Sequence, residues 1–261
     1  VAFYGRNLDG AHLPFNFQLV FTAWSAAAIA SLVREYEAAL PQGGWPNWVL
    51  GNHDQPRIAT RLGEAQARIA AMLLLTLRGT PTLYYGDELG ITDVPIPPDR
   101  VQDPWAKNEP GLGLGRDPSR TPMPWDDTPN AGFSSGEPWL PLNPDHAQRN
   151  VARLRQDPTS LLMLYRRLIK LRHATPALSI GDVSAVGAIG DVLCFERRSG
   201  DARLLVLLNL GGHPASIPLP SDVSTVRLMI STVRETTDQA WNGAVELAPA
   251  EGLVLETVAR A

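Results

Sequence analysis

Residues 86–157 carry 12 of the chain's 23 prolines and 7 of its 22 glycines, and no apolar period persists through them. So long a connection without periodic elements is uncommon in a compact domain. Where one occurs, it is a functional loop held by a rigid scaffold on either side. Trp105, Trp125 and Trp139 fall inside it, and disordered tracts are poor in aromatic residues. The segment therefore reads as an ordered, site-covering loop, of the kind that α/β barrels keep on the face where chemistry occurs. Packing within the loop is the expected task of at least two of its tryptophans.

The flanks supply the scaffold. Residues 26–40 place Ile29, Leu32, Val33, Tyr36 and Leu40 at helical spacing and stop at Pro41-Gln42-Gly43-Gly44. Trp48-Val49-Leu50 reads as a short buried strand. A helix is expected from about residue 64 to 78, with Ile69, Met72, Leu73 and Thr76 on one face and Gly79 as its stop. Residues 81–85 read as another buried strand. Strand, helix, strand with compact connections is the pattern of a parallel sheet covered on both faces.

Beyond the loop, Asp157-Pro158 offers an N-cap followed by proline at the first helical position. Leu161, Leu164, Tyr165, Leu168 and Leu171 give that helix its apolar stripe. After Pro176 the pattern changes for good. Residues 192–195, 203–210, 226–230, 243–247 and 252–258 are short β-rich segments separated by Gly, Pro, Asp and Ser. The predicted organisation is α/β plus all-β: residues 1–175 hold α/β elements and the long loop 86–157, and residues 176–261 form an antiparallel β-sandwich.

Composition removes several function classes. With 23 Lys+Arg against 27 Asp+Glu, the formal charge is −4, without the cationic footprint of a nucleic-acid or membrane-surface binder. One cysteine, Cys194, excludes an internal disulfide framework; in its apolar strand it is expected to be an inert buried thiol. No apolar run reaches the ~18–20 residues of a membrane span. His12, His53, His146, His173 and His213 show no ligand spacing, so no metal centre built by this chain is expected. The chain begins Val-Ala-Phe-Tyr-Gly, without initiator Met or signal peptide, and is expected to start inside a longer protein.

Asn52-His53-Asp54 follows the strand at Trp48. The end of a parallel strand is a rigid mount for catalytic side chains. From the residues alone, His53 and Asp54 are suited to acid/base chemistry, metal ligation or sugar recognition, or to an Asn/Asp turn with a satisfied histidine. There is no G-x-S-x-G, G-x-x-x-x-G-K, H-E-x-x-H or C-x-x-C motif.

The run Leu50-Gly51-Asn52-His53-Asp54-Gln55-Pro56-Arg57 resembles the fourth signature region of glycoside hydrolase family 13, the α-amylase family. Asp9-Gly10-Ala11-His12-Leu13-Pro14-Phe15-Asn16-Phe17 resembles the preceding barrel strand of bacterial α-glucosidases. Gly79-Thr80-Pro81-Thr82-Leu83-Tyr84-Tyr85-Gly86-Asp87-Glu88-Leu89-Gly90 is similar to the eighth strand and its turn. Gly115-Arg116-Asp117-Pro118-Ser119-Arg120-Thr121-Pro122-Met123-Pro124-Trp125 is similar to a loop of α-glucosidases and oligo-1,6-glucosidases. The resemblance covers nearly the whole chain.

It implies the C-terminal part of a (β/α)8 TIM barrel followed by a β-sandwich domain C, with barrel strands around Pro14, Trp48 and Pro81. It further implies a retaining mechanism on α-linked glucosides through an oxocarbenium-like transition state. Asp54 matches the family's third catalytic carboxylate, which holds ring hydroxyls and stabilises that state. His53 and Arg120 match substrate-binding residues, and Phe17 is an expected apolar wall of the substrate site. Asp87 and Glu88 are read as structural carboxylates that satisfy loop donors, Arg116 as pairing within its own loop, and Met72 and Met163 as core. The first three signature regions, with the nucleophilic Asp and acid Glu, do not occur in this sequence. The chain alone is accordingly expected to be inactive and to carry no cofactor, a structural divalent cation being an option only for the absent half.

The expected partner is an α-glucoside or oligosaccharide, with no nucleic acid and no membrane, and the expected compartment is the cytoplasm. Alternatives are a trehalose synthase or sucrose isomerase type of glucosyl isomerase, and a non-catalytic family relative acting by interaction. A carbohydrate-binding module has only the lone Trp241 in its favour.

Overall fold

The computed structural model describes residues 1–236 and 238–258. They form two compact units, one of Val1–Leu50, Arg68–Thr82 and the chain from Arg167 onward, the other of Gly51–Ala67 and Leu83–Arg166.

The first unit contains a parallel sheet. Strand β1 (Asn47–Val49) pairs in parallel with β2 (Thr80–Thr82), Trp48 opposite Pro81, and Asn16 forms a parallel bridge to Trp48. These are the three barrel-strand positions expected around Pro14, Trp48 and Pro81. Asn47 is 5% exposed and ties the three together. Its amide donates to the Leu13 carbonyl at 3.2 Å, and its Oδ1 accepts from Thr82 Oγ1 at 2.6 Å. A buried amide with both ends satisfied fixes register as well as packing.

Helix α1 (Ala26–Ala39) is capped by Ser25, whose side chain accepts from Ala28 N. It buries Ile29, Val33 and Tyr36, and the Tyr36 ring lies 5.2 Å from Trp48. Helix α2 (Ile58–Thr76) begins earlier than the sequence pattern predicts, because it is two helical segments joined at Gly63, with φ 76° and ψ 168°. That left-handed φ suits glycine. The expectation of a single buried face is also corrected, since Ala70, Ala71, Leu74 and Leu75 are as inaccessible as Ile69, Met72 and Leu73. A helix segment apolar all round is an interior one.

Helix ends leave carbonyls without intrahelical partners, and here two buried arginines serve them. Arg172, from α3 (Leu161–Ala174), donates to the carbonyls of Leu75, Leu77 and Gly79. Arg197 donates to Thr76 and Gly181, and burial pulls its guanidinium down to about 9.

Helix α3 starts at Leu161, later than Asp157-Pro158 suggests. Asp157 spends its carboxylate on Thr159 N and Oγ1, while Ser160 Oγ accepts from Met163 N at 3.2 Å and is the cap. Ser160→Ala should therefore cost about 1 kcal/mol in urea unfolding, and Asp157→Ala less; the reverse order would reassign the cap to Asp157. Met163 itself is half-buried rather than core.

The remaining strands are β3 (Asp182–Ile189), β4 (Val192–Ser199), β5 (Ala202–Asn209), β6 (Ala215–Pro218), β7 (Thr225–Ser231), β8 (Ala240–Asn242), β9 (Ala244–Leu247) and β10 (Gly252–Val258). Six form an antiparallel sheet in the order β3-β4-β5-β10-β7-β8, and β6 pairs with β9. Val192, Leu205, Leu207, Val226, Leu228, Leu253 and Leu255 of the large sheet pack with Ile217, Val245 and Leu247 of the small one. This is the expected sandwich. Cys194 lies half-buried in β4, and burial pushes its thiol up to about 12.

The second unit holds the first part of α2 and the start of α3; its other helical pieces are short turns, including Pro104–Asn108, Asp117–Ser119 and Val151–Leu154. Leu89, Ile91 and Met123 form its small core, joined by Val151, Leu154 and Leu162. Aliphatic side chains fill that core, and the three tryptophans are partly exposed, Trp105 58%, Trp125 49% and Trp139 73%, with Trp105 packing on Arg116 within the loop. No helix among the described residues is long and apolar enough to cross a membrane.

Candidate active site

Asp54 lies five residues beyond the end of β1 in the chain. Asn52 turns the backbone there, its Oδ1 accepting from Asp54 N at 3.0 Å. The turn presents His53 and Asp54 side by side, with side chains 63% and 41% exposed. Two guanidinium donors meet at a single oxygen of Asp54, with the His53 ring beside it. Arg120 Nη2 and Arg116 Nη1 each reach Oδ1 at 3.1 Å, and His53 Nε2 stands 3.4 Å from it. Arg120 also donates Nε to the His53 carbonyl at 2.8 Å. The structure thus brings together Asp54, His53 and Arg120, three of the four residues singled out in the sequence.

Phe17, the fourth, belongs to the first unit. It precedes the turn Gln18–Phe21, is 40% exposed, and lies 5.6 Å from the Phe15 ring.

Arg116 exceeds its sequence reading. It does pair within its loop, donating Nε to Asp103 Oδ2 at 2.8 Å and Nη2 to Oδ1 at 3.0 Å, but its third nitrogen holds Asp54. Hydrogen bonds to Asp103, and then to Asp54, raise its affinity for the proton above that of an ordinary arginine. The same Arg116 hydrogen bond holds the Asp103 carboxyl well below the usual carboxylate range, against the opposing effect of burial. Asp103, and the reach of Arg116 to Asp54, are what sequence reasoning missed. Asp103-Pro104 carries the N-cap signal applied at Asp157-Pro158, and it does cap Pro104–Asn108; nothing in the spacing tells that its carboxylate also faces Arg116.

Asp87 meets another expectation only in part. Its carboxyl is buried, and Oδ1 has no hydrogen-bond partner among the described residues. Burial is the main reason its pKa rises to about 7, countered by Arg57 and reinforced by Glu88. It does take a backbone hydrogen bond at Tyr84, which works against the rise, but Oδ1 is left without a donor, so the carboxyl is under-satisfied. It presses on Gly51, where an added Cβ would stand 2.9 Å from Oδ2, so glycine at that point of the run leaves room for the carboxyl.

An open cavity of about 730 Å³ adjoins Arg120 and Asp103, walled by Met123, Trp125, Phe133 and Trp139. No cluster of three metal-ligating side chains occurs among the described residues.

A family model for the catalytic domain of alpha amylase matches residues 6–181. The chain belongs to the α-amylase family. Among its relatives in the family, the probable alpha-glucosidase of Rhizobium meliloti is 35% identical, over 83% of this chain and 40% of that protein. The oligo-1,6-glucosidase of Parageobacillus thermoglucosidasius is 32% identical, over 80% of this chain and 42% of that one. The solved trehalulose synthase from Pseudomonas mesoacidophila MX-45 superimposes with a TM-score of 0.85 at 30% identity, over 96% of this chain and 52% of that structure. The chain therefore spans about half, or less, of the length of these family members.

Proposed function

We propose that this chain supplies the transition-state carboxylate and sugar clamp of a retaining α-glucosidase, within a barrel whose nucleophile and acid come from polypeptide outside these 261 residues. The meeting of Arg116 and Arg120 at one oxygen of Asp54, with His53 beside it, carries the reading. A half-exposed carboxylate held this way accepts hydroxyl hydrogen bonds from a sugar ring. Such charge-assisted bonds tighten as positive charge develops on the ring, which is differential binding of the transition state. His53 donates to the same sugar and Arg120 clamps it. No step needs a cofactor held by this chain, and the single cysteine fits a cytoplasmic protein.

The test is complementation. The chain is co-purified with the part of the Rhizobium meliloti relative that it does not match, and assayed on maltose, isomaltose and sucrose. Hydrolysis of maltose or isomaltose only when both pieces are present is expected. Hydrolysis by the chain alone, or an inert but stable complex, would overturn the reading. Conversion of sucrose to trehalulose or isomaltulose would replace hydrolysis with isomerisation.

A further inference from the structure

Asp103 is 1% exposed at the edge of the cavity that Arg120 also lines, and its carboxylate is spent on the loop. It receives four donors: the backbone N–H groups of Trp105 (3.1 Å) and Arg116 (2.8 Å), and the Arg116 side chain through Nε and Nη2. Its own segment is pinned in turn. Asp117, also buried, accepts from the backbone N–H groups of Gln102 at 2.7 Å and Asp103 at 2.8 Å. The Trp105 ring covers the Arg116 guanidinium at 5.5 Å.

A guanidinium is planar, and its five N–H directions are fixed relative to one another. Once Nε and Nη2 are engaged by a buried carboxylate, the direction of Nη1 is decided, and it points to Asp54 Oδ1 at 3.1 Å. Arg120 reaches that same oxygen. Among the described residues no hydrogen bond reaches Asp54 Oδ2, so the arrangement loads one oxygen and leaves the other to accept.

We propose that Asp103 is a positioning residue of this site: it aims the Arg116 fork so that Asp54 is held by Oδ1 and presents Oδ2 to the substrate. The part concerning substrate rests on the reading of Asp54 given above; the positioning does not. A loop-holding role alone would need only the backbone bonds to Trp105 and Arg116. The side-chain bonds of Arg116 make the link to Asp54.

The experiment reads the link directly in the purified 261-residue chain, by NMR of the arginine Nε–Hε groups and the Asp54 carboxyl carbon. Asp103→Asn keeps the size and one acceptor for the cap but removes the charge. Arg116→Lys keeps the charge but cannot bridge two carboxylates. Both variants should shift the Arg120 Nε–Hε and Asp54 carboxyl signals, while amides of the β-sandwich stay in place. Asp103→Asn should also speed solvent exchange at Arg116 Nε by about tenfold or more, as expected when an anchored donor is released. Folded variants with unchanged Arg120 and Asp54 signals would overturn the proposal and leave Asp103 a loop residue. If Asp103→Asn does not fold, Arg116→Lys decides alone.

In the complemented enzyme the same substitutions should lower kcat by about 10- to 100-fold with little change in KM. Intact NMR coupling with no such loss would retain the positioning and reject the role assigned to Asp54.

Discussion

Asp54→Asn is expected to lower kcat/KM for maltose in the complemented enzyme by about 10³-fold or more, equivalent to about 4 kcal/mol of transition-state stabilisation. The amide keeps the size of the carboxylate but loses the charge that offsets the developing oxocarbenium. It also turns an NH2 group or a weaker acceptor toward two guanidinium groups that now reach Oδ1 at 3.1 Å. Asn should therefore lose more in kcat than in KM, because ground-state hydroxyls still find a polar partner. Arg116 stays anchored to Asp103 in this variant, so the loop should keep its fold and its melting behaviour. A variant with near-normal turnover would remove Asp54 from the chemistry and leave it as an acceptor for the arginines.

Much of this architecture is legible because apolar spacing reports burial. The run Leu204-Leu205-Val206-Leu207-Leu208 reads as a strand because both of its faces are covered, and all five residues are buried in β5. β3 escapes the same reading: Asp182–Ile189 is an edge strand with mostly exposed side chains, so its ladder to β4 leaves no apolar signature. The site divides likewise. His53, Asp54 and Arg120 are found through runs of adjacent residues. The fork at Arg116 depends on a carboxylate thirteen residues away whose chain position carries no period, and only tertiary structure joins them. Asp87 departs from its sequence reading for a related reason. Its place after a strand is visible in sequence, but the shortage of donors around it is not.

That shortage predicts a pH-dependent stability, which Asp87→Asn should remove. Arg57, Arg61, Glu88 and Tyr165 share electrostatic contact with the Asp87 carboxyl. Arg57 engages the Tyr85 carbonyl at 2.7 Å and lies over the Tyr84 and Tyr85 rings, and it forms no ion pair with Asp87 among the described residues. Burial therefore outweighs the cations, and the folded-state value is about 7 against an ordinary 3.8. Between those values the folded chain holds a proton that the unfolded chain has released, so stability falls as pH rises. The contribution is fully present below pH 3.8 and is lost as pH passes 7, in total about 4 kcal/mol for a shift of this size. Urea unfolding from pH 4.5 to 8.5 should show wild type and Asp87→Asn nearly equal at the acid end and the variant more stable at the alkaline end. A difference between them that stays constant with pH would mean that Asp87 is already ionised in the fold. Because the carboxyl presses on Gly51, its ionisation also places a charge beneath the turn that carries His53 and Asp54. Asn at position 87 should thus flatten the alkaline loss of stability while leaving that turn in place.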